Sequence, residues 1–294
     1  MINNPLFYSK TNIKYTPYKN GLYLEEYFNK FISENNIYTK RKYIPAFWTN
    51  FQIEKSFYFH IDNMQQSLNE WVKENPSNDG YFTIVQHADG ALLKLPENTI
   101  VYGGSKGNFP LPLIYEDKNN TLLNLKKKKF NEKLILCSFV GNITCNNLNP
   151  DVRKIIFKKF QNNESFFMIN SGGWTNQVND IQQQIFINAT IDSKFALAPR
   201  GYGRSSFRFF ECFLLGTIPI YIWNDKIWLP FQDVIDYDKL CIVIHINEIN
   251  ELEKILKNID ELKYNNMWKY YDEIKHLFEL EGMTKQIINN INQL

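Results

Sequence analysis

Residues 194–216 read KFALAPRGYGRSSFRFFECFLLG: a short apolar run, a loop with two glycines and three arginines, and an aromatic-rich segment that stops at a glycine. Lys194–Ala198 has the length and apolarity of a buried strand, and Pro199, which has no amide proton for a ladder, ends it. Gly201 and Gly203 admit backbone angles and close approaches that a Cβ would block. Ser205 or Ser206 suits the N-cap of a helix that runs towards Gly216, where a helix stop is expected. With the apolar run TIPIYIW that follows, the order is strand, glycine loop, helix, strand, so the class is α/β.

The chemistry of that loop is anionic recognition. A helix N-terminus presents unpaired N–H groups and a partial positive charge. Arg200, Arg204 and Arg208 reinforce it, because a guanidinium can grip phosphate oxygens with two bonds. Glu211 lies three residues after Arg208, on the same helical face, where it can accept hydrogen bonds from the hydroxyls of a ribose. A glycine pair alone is ordinary turn chemistry and an Arg–Glu pair alone is an ordinary surface salt bridge; their conjunction points to a nucleotide diphosphate. A dinucleotide fingerprint competes: Gly201-x-Gly203-x-x-Ser206 lacks the third glycine, although Asp225 stands where a ribose-binding acid would fall. Phe207, Phe209, Phe210 and Phe213 read as core packing.

Outward from this loop, the second half opens with the strand Leu134–Val140, which stops at Gly141, and continues through an amphipathic helix over Asp151–Phe160. Further strands fit SFFMIN and LCIVIHI, a helix fits LEKILKNI, and helical potential extends from about Asn265 to Leu294. The first half offers helices over Gly21–Ser33 and Asp62–Lys73, a buried strand over Tyr81–Gln86 and another in NTIVYGGS. Between the halves stands NLKKKK, whose four lysines repel one another and favour a solvated connector. The expected domains are therefore 1–127 and 128–294, with the final helical segment, about 265–294, able to pack back on the first.

Composition excludes several classes. The chain has 294 residues, 44% of them hydrophobic, enough for proper cores, and 33 basic against 31 acidic residues leave no global pull on nucleic acid. Cys137, Cys145, Cys212 and Cys241 form no CxxC pair and three sit in apolar runs, so a disulfide framework is not expected. No run is long enough for a signal peptide or a spanning helix, so the expectation is a soluble, cytoplasmic protein. The four histidines are scattered, HExxH does not occur and Asp89 has no DxD partner, so no metal is expected. Glu25-Glu26 reads as solvated helix face, and the WTN at Trp48–Asn50 and SGGWTN at Ser171–Asn176 read as sugar platforms or as packing and turns.

The stretch FALAPRGYGRSSFRFFECFLLGTIPIYIWNDKIWLPF resembles the signature of exostosin-type glycosyltransferases of family 47. LILCSFVGN with Arg153 downstream is similar to that family's F-x-G and Arg element, and YIPAFWTNF and FTIVQHADG look like first-half segments of its soluble members. The likeness spans roughly residues 20–260 and is most specific over 195–231. It implies two Rossmann-like domains facing a cleft, the GT-B architecture, with acceptor bound mainly by the first half and nucleotide sugar by the second. It implies inversion at the anomeric carbon and no obligatory metal or other cofactor. By motif position, Gly141, Arg153, Arg200, Arg208 and Glu211 become donor-site candidates beside Gly201, Gly203 and Ser205. Known animal members are membrane-anchored; the lack of an anchor here suggests a microbial or viral enzyme. The partners are then a nucleotide-sugar donor, uridine-linked (xylose, glucuronic acid or galactose), and a glycan or glycoprotein acceptor.

Direct inversion needs a base in the first half. Asp89 is the candidate, just past the carboxyl end of a strand, where α/β sheets display functional groups, with His87 and His60 as alternatives. Each of the three also has an ordinary structural reading as turn chemistry or a hydrogen-bonded histidine. Two other functions remain open: an NAD(P)-dependent oxidoreductase, and a carbohydrate-binding protein that kept the fold without the chemistry.

Overall fold

A computed structural model describes residues 1–10, 21–54, 56–144, 151–173 and 178–294. Among these, 1–10, 21–116 and 276–294 make one compact unit and 117–275 another. The division falls at Glu116, ahead of the lysine run, and the chain returns to the first unit at His276. The run itself is not purely solvated, since Lys128 pairs with Asp192 and the Lys127 stem lies against Gly216.

The first unit carries helices α1 (Leu24–Asn35), α2 (Trp48–Gln52) and α3 (Phe57–Glu74) and strands β1 (Lys42–Tyr43), β2 (Tyr81–Val85), β3 (Thr99–Gly103) and β4 (Phe109–Pro110). The four strands pair in chain order and all in parallel, with Tyr81 opposite Thr99 and Val85 opposite Gly103. Every residue of β2 is buried, as a parallel strand covered on both faces requires. Phe7, Trp48, Phe51, Met64, Leu68 and Val85 belong to its core.

The second unit carries β5 (Ile135–Gly141), α4 (Val152–Phe160), β6 (Phe166–Asn170), α5 (Asp180–Asp192), β7 (Ser193–Pro199), α6 (Phe207–Leu214), β8 (Ile218–Trp223), α7 (Tyr237–Leu240), β9 (Ile242–His245), α8 (Leu252–Lys257) and α9 (Glu261–Ile274); α10 (Leu280–Gln293) returns to the first unit. Tyr102 of β3 donates its hydroxyl to Asn290 of α10 at 2.6 Å. The second sheet is all parallel in the order β6-β5-β7-β8-β9. From β5 the chain passes to β6 on one side and then crosses back to β7 on the other, so the winding reverses between β5 and β7. That reversal opens a crevice outside the carboxyl ends of the two strands, the place where open α/β sheets bind ligands.

Local chemistry sets the ends of these elements. Asp151, Asn179 and Asp260 cap α4, α5 and α9 through their side chains. α6 stops in a Schellman arrangement: Gly216 adopts φ 76°, its amide donates to Phe213 O, and the Thr217 amide donates to Cys212 O. Phe209 and Phe213 seal α6 onto the sheet, each almost fully buried. Among the described residues, no helix is long and apolar enough to cross a membrane. Cys137, Cys212 and Cys241 are buried free thiols; Cys145 lies outside the described residues, as do 174–176 of the SGGWTN stretch.

Candidate functional site

Gly141 ends β5 and Arg200 follows β7, so the two strands that flank the reversal of winding both terminate at predicted site residues. The Arg208 guanidinium, from the first turn of α6, lies against Gly141, donates from Nη2 to Val140 O at 2.5 Å, and sits 4.7 Å above the Phe139 ring. A Cβ on Gly141 would stand 2.5 Å from Arg208 Nη2, so only glycine admits this approach. Arg208 Nε is buried with no hydrogen-bond partner. Burial, then the charge of Arg153, push the Arg208 pKa down to about 10, with Cys212 and Glu211 opposing.

Arg153, from α4, crosses to the same place. Its Nε donates to Arg200 O at 3.1 Å and its Nη1 to Asn142 O at 2.9 Å. A Cβ on Gly201 would meet its Nη2 at 2.9 Å. Gly201 is therefore required by close approach and not by a left-handed backbone. Arg200 is buried; its Nη1 reaches Asn224 Oδ1 at 2.9 Å and Asp225 Oδ1 at 2.8 Å, and its Nη2 donates to Tyr202 O. Arg204 holds the other carboxylate oxygen of Asp225 through Nη2 at 2.7 Å and Nε at 2.9 Å, with Trp228 5.5 Å beneath it.

Burial raises the Asp225 pKa, but hydrogen bonds from Arg204, the Lys226 amide and Arg200 outweigh it and hold the carboxyl at about 2. A carboxylate committed to two guanidiniums is not available to a ribose, which removes the residue on which the dinucleotide reading depended. Glu211 is buried on the same face of α6 as Arg208. Ser206, not Ser205, occupies the N-cap, in extended conformation and without a side-chain cap bond. Gly203 and Ser205 lie in the loop between, beside the exposed Tyr202.

In the first unit, Asp89 and His87 share the turn after β2. The Asp89 amide faces His87 Nδ1 at 3.3 Å and its carboxylate pairs with Lys106 at 3.2 Å. Burial lowers the His87 pKa; the charge of Asp89 opposes this and that of Lys106 adds to it. His60 is exposed on α3. Glu25 and Glu26 are not the solvated pair that the sequence suggested: they are 2% and 6% exposed. Thr49 and the Gln86 amide converge on Glu25, while Asn50 and the Tyr23 amide converge on Glu26. Trp48 is no sugar platform either, being fully buried with its indole N–H on Thr83. Among the described residues, no group of three or more His, Cys, Asp or Glu side chains converges as a metal site.

Residues 61–259, more than half of the chain, match the model of the Exostosin GT47 domain. The chain belongs to the exostosin GT47 family. Asp89, Gly141, Arg153 and the whole Arg200–Glu211 loop fall inside the exostosin match, whereas Glu25 and the WTN segment precede it. Among similar Arabidopsis thaliana proteins are the "Probable glycosyltransferase At5g03795" (27% identical over 38% of this chain and 23% of its own), the "Probable arabinosyltransferase ARAD1" (32%, 28% and 18%) and the "Probable beta-1,4-xylosyltransferase IRX10" (31%, 36% and 23%). The exostosin chain thus spans less than a quarter of the length of these relatives. A solved structure titled "Crystal Structure of TarM" overlaps 78% of this chain and 58% of its own at 9% identity and a TM-score of 0.39.

Two contributors to the arginine cluster escaped the sequence. Asn224 stands beside Asp225 as a ligand of Arg200, and Phe139 supports Arg208 from inside β5. Phe139 was visible in principle as the aromatic of the F-x-G element, whereas nothing in the sequence marked Asn224.

Proposed function

We propose that the protein is a glycosyltransferase whose second unit binds a uridine-linked nucleotide sugar and whose reaction inverts the anomeric carbon of the donor. The observation that carries this reading is the convergence of Arg153, Arg200 and Arg208 on the carboxyl ends of β5 and β7, where the winding of the second sheet reverses. An acceptor hydroxyl attacks the anomeric carbon, the bond from that carbon to the β-phosphate oxygen breaks, and the electron pair leaves on the nucleoside diphosphate. Guanidiniums already fixed by protein hydrogen bonds stabilise that charge without reorganising. The hydroxyl proton passes to a base of the first unit, for which Asp89 is the candidate. Glu211 serves the nucleoside end. The relatives named as arabinosyl- and xylosyltransferases favour a pentose as the transferred sugar and a glycan as acceptor.

The test is thermal. Uridine diphosphate at one hundred times its dissociation constant stabilises the fold by about 2.7 kcal/mol. Arg200→Ala abolishes that shift. A melting temperature unmoved by millimolar uridine diphosphate in the wild-type protein defeats the donor assignment.

A further inference from the structure

We infer that Glu25 is a positioning residue for the segment from Gln86 to Gly90, holding it at the carboxyl edge of the first unit's sheet. The inference deepens the glycosyltransferase reading, on which it rests for the chemistry assigned to that segment.

Glu25 lies in the first turn of α1. One carboxylate oxygen accepts from the Gln86 amide at 2.5 Å and the Thr49 hydroxyl at 2.7 Å, and the other accepts from the Thr49 amide at 3.0 Å. Its own amide donates to Gln86 Oε1 at 3.3 Å. Gln86 is the first residue beyond β2, and His87 and Asp89 follow it in the turn. The far end of the same turn is gripped by Gln52, which donates to Gly90 O and accepts from the Leu92 amide, both at 2.8 Å. Thr49 and Gln52 both belong to α2, so α1 and α2 together clamp the segment at each end, and Asn50 ties α2 to Glu26 at 3.0 Å.

A carboxylate suits this place because two backbone N–H groups and a hydroxyl point at it, and it is the side chain with the most acceptor sites and no donor. The choice is costly. Burial pushes the Glu25 pKa up to about 7 against the three hydrogen bonds, and Glu26 adds repulsion where a counter-cation would have helped. An apolar residue would seat α1 on α2 without that penalty, so the carboxylate is there for the groups it orients. Its oxygens are engaged by protein donors, and it acts on the turn through Gln86 and not on substrate.

Amide hydrogen exchange at pH 7.5 tests this on the intact chain. Glu25→Asp keeps the charge but shortens the reach, and exchange at Gln86–Gly90 rises about tenfold while that of β3 stays at the wild-type rate. Glu25→Gln, whose carbonyl oxygen can still accept from Gln86, keeps the segment within about threefold of wild type. With uridine diphosphate sugars as probes, Glu25→Asp lowers kcat and leaves the donor KM and the uridine diphosphate thermal shift unchanged. Unchanged exchange at Gln86–Gly90 in Glu25→Asp overturns the inference, as does an equal rise in β3. If wild-type protein turns over no such sugar, the glycosyltransferase reading fails, and the exchange result still decides the role of Glu25.

Discussion

Substituting Gly141 by alanine tests whether the Arg208 guanidinium is as tightly confined as its surroundings indicate. The added Cβ would stand 2.5 Å from Nη2 and 3.3 Å from both Cζ and Nη1. Restoring an ordinary carbon contact requires the guanidinium to retreat by about 1 Å. Retreat is obstructed, because Phe139 and Phe186 stack against it at 4.7 and 5.5 Å and its bond to Val140 O measures 2.5 Å. Breaking that charge-assisted bond costs about 1.5–3 kcal/mol, and it leaves a second nitrogen unpaired beside the orphaned Nε. Alanine in a strand offsets about 0.5–1 kcal/mol of this by reducing backbone entropy. The net expectation for Gly141→Ala is a destabilisation of about 1–2 kcal/mol. In an Arg208→Met background the obstruction is gone and the same substitution becomes neutral or slightly stabilising. Urea denaturation of the four proteins closes a double-mutant cycle with a coupling energy of about 2 kcal/mol. Coupling below about 0.5 kcal/mol, within ordinary non-additivity, would refute the confinement of Arg208.

Three further outcomes follow from buried groups. Lys133 donates to Ile191 O and Thr217 Oγ1, and burial lowers its pKa to about 8 from 10.5. Between those values the unfolded chain binds the extra proton, so stability rises with pH by about 3 kcal/mol, and denaturation of Lys133→Met against wild type at pH 7.5 and 10 measures it. Glu25 has the opposite sign: its folded pKa of about 7 exceeds the 4.5 of the unfolded chain, so the folded state holds the proton longer. Stability therefore falls by about 3 kcal/mol as pH rises from 4.5 to 7 and is flat beyond, a slope that Glu25→Gln removes in melting curves taken across that range. Finally, Cys137, Cys212 and Cys241 stay silent to dithionitrobenzoate until denaturant is added, because burial raises all three thiol pKa values. Rapid reaction of three thiols in the native protein would contradict their burial.

The second unit was legible because the punctuation of its elements is local. The strand before Pro199, the stop at Gly216 and the amphipathic helix over Asp151–Phe160 each express a rule confined to a few residues, and the structure obeys each within a residue or two. The order β6-β5-β7-β8-β9 was not legible, because which neighbour β5 takes depends on packing between segments far apart in sequence. Yet that order is what turns two separate glycine–arginine motifs into one cluster: it sets β5 beside β7, and so Gly141 near Arg200.

The surroundings of Glu25 and Asp225 were hidden from the sequence for a common physical reason. A carboxylate's environment is decided by which donors reach it, and those donors come from elsewhere in the chain: Thr49 and Gln86 for one, Arg200 and Arg204 for the other. Sequence spacing finds partners three or four residues apart on a helix and misses those brought together by a sheet edge. The arginines illustrate the converse. Arg153, Arg200 and Arg208 spend their donors on Asn142, Arg200, Asn224 and Val140, mostly backbone carbonyls at strand ends, so their positions follow from the sheet itself. Guanidiniums anchored in this way take their orientation from the fold itself. The proposed glycosyltransferase reading draws on this placement: at the sheet's switch point, guanidiniums already fixed by the fold would meet a departing diphosphate with little reorganisation.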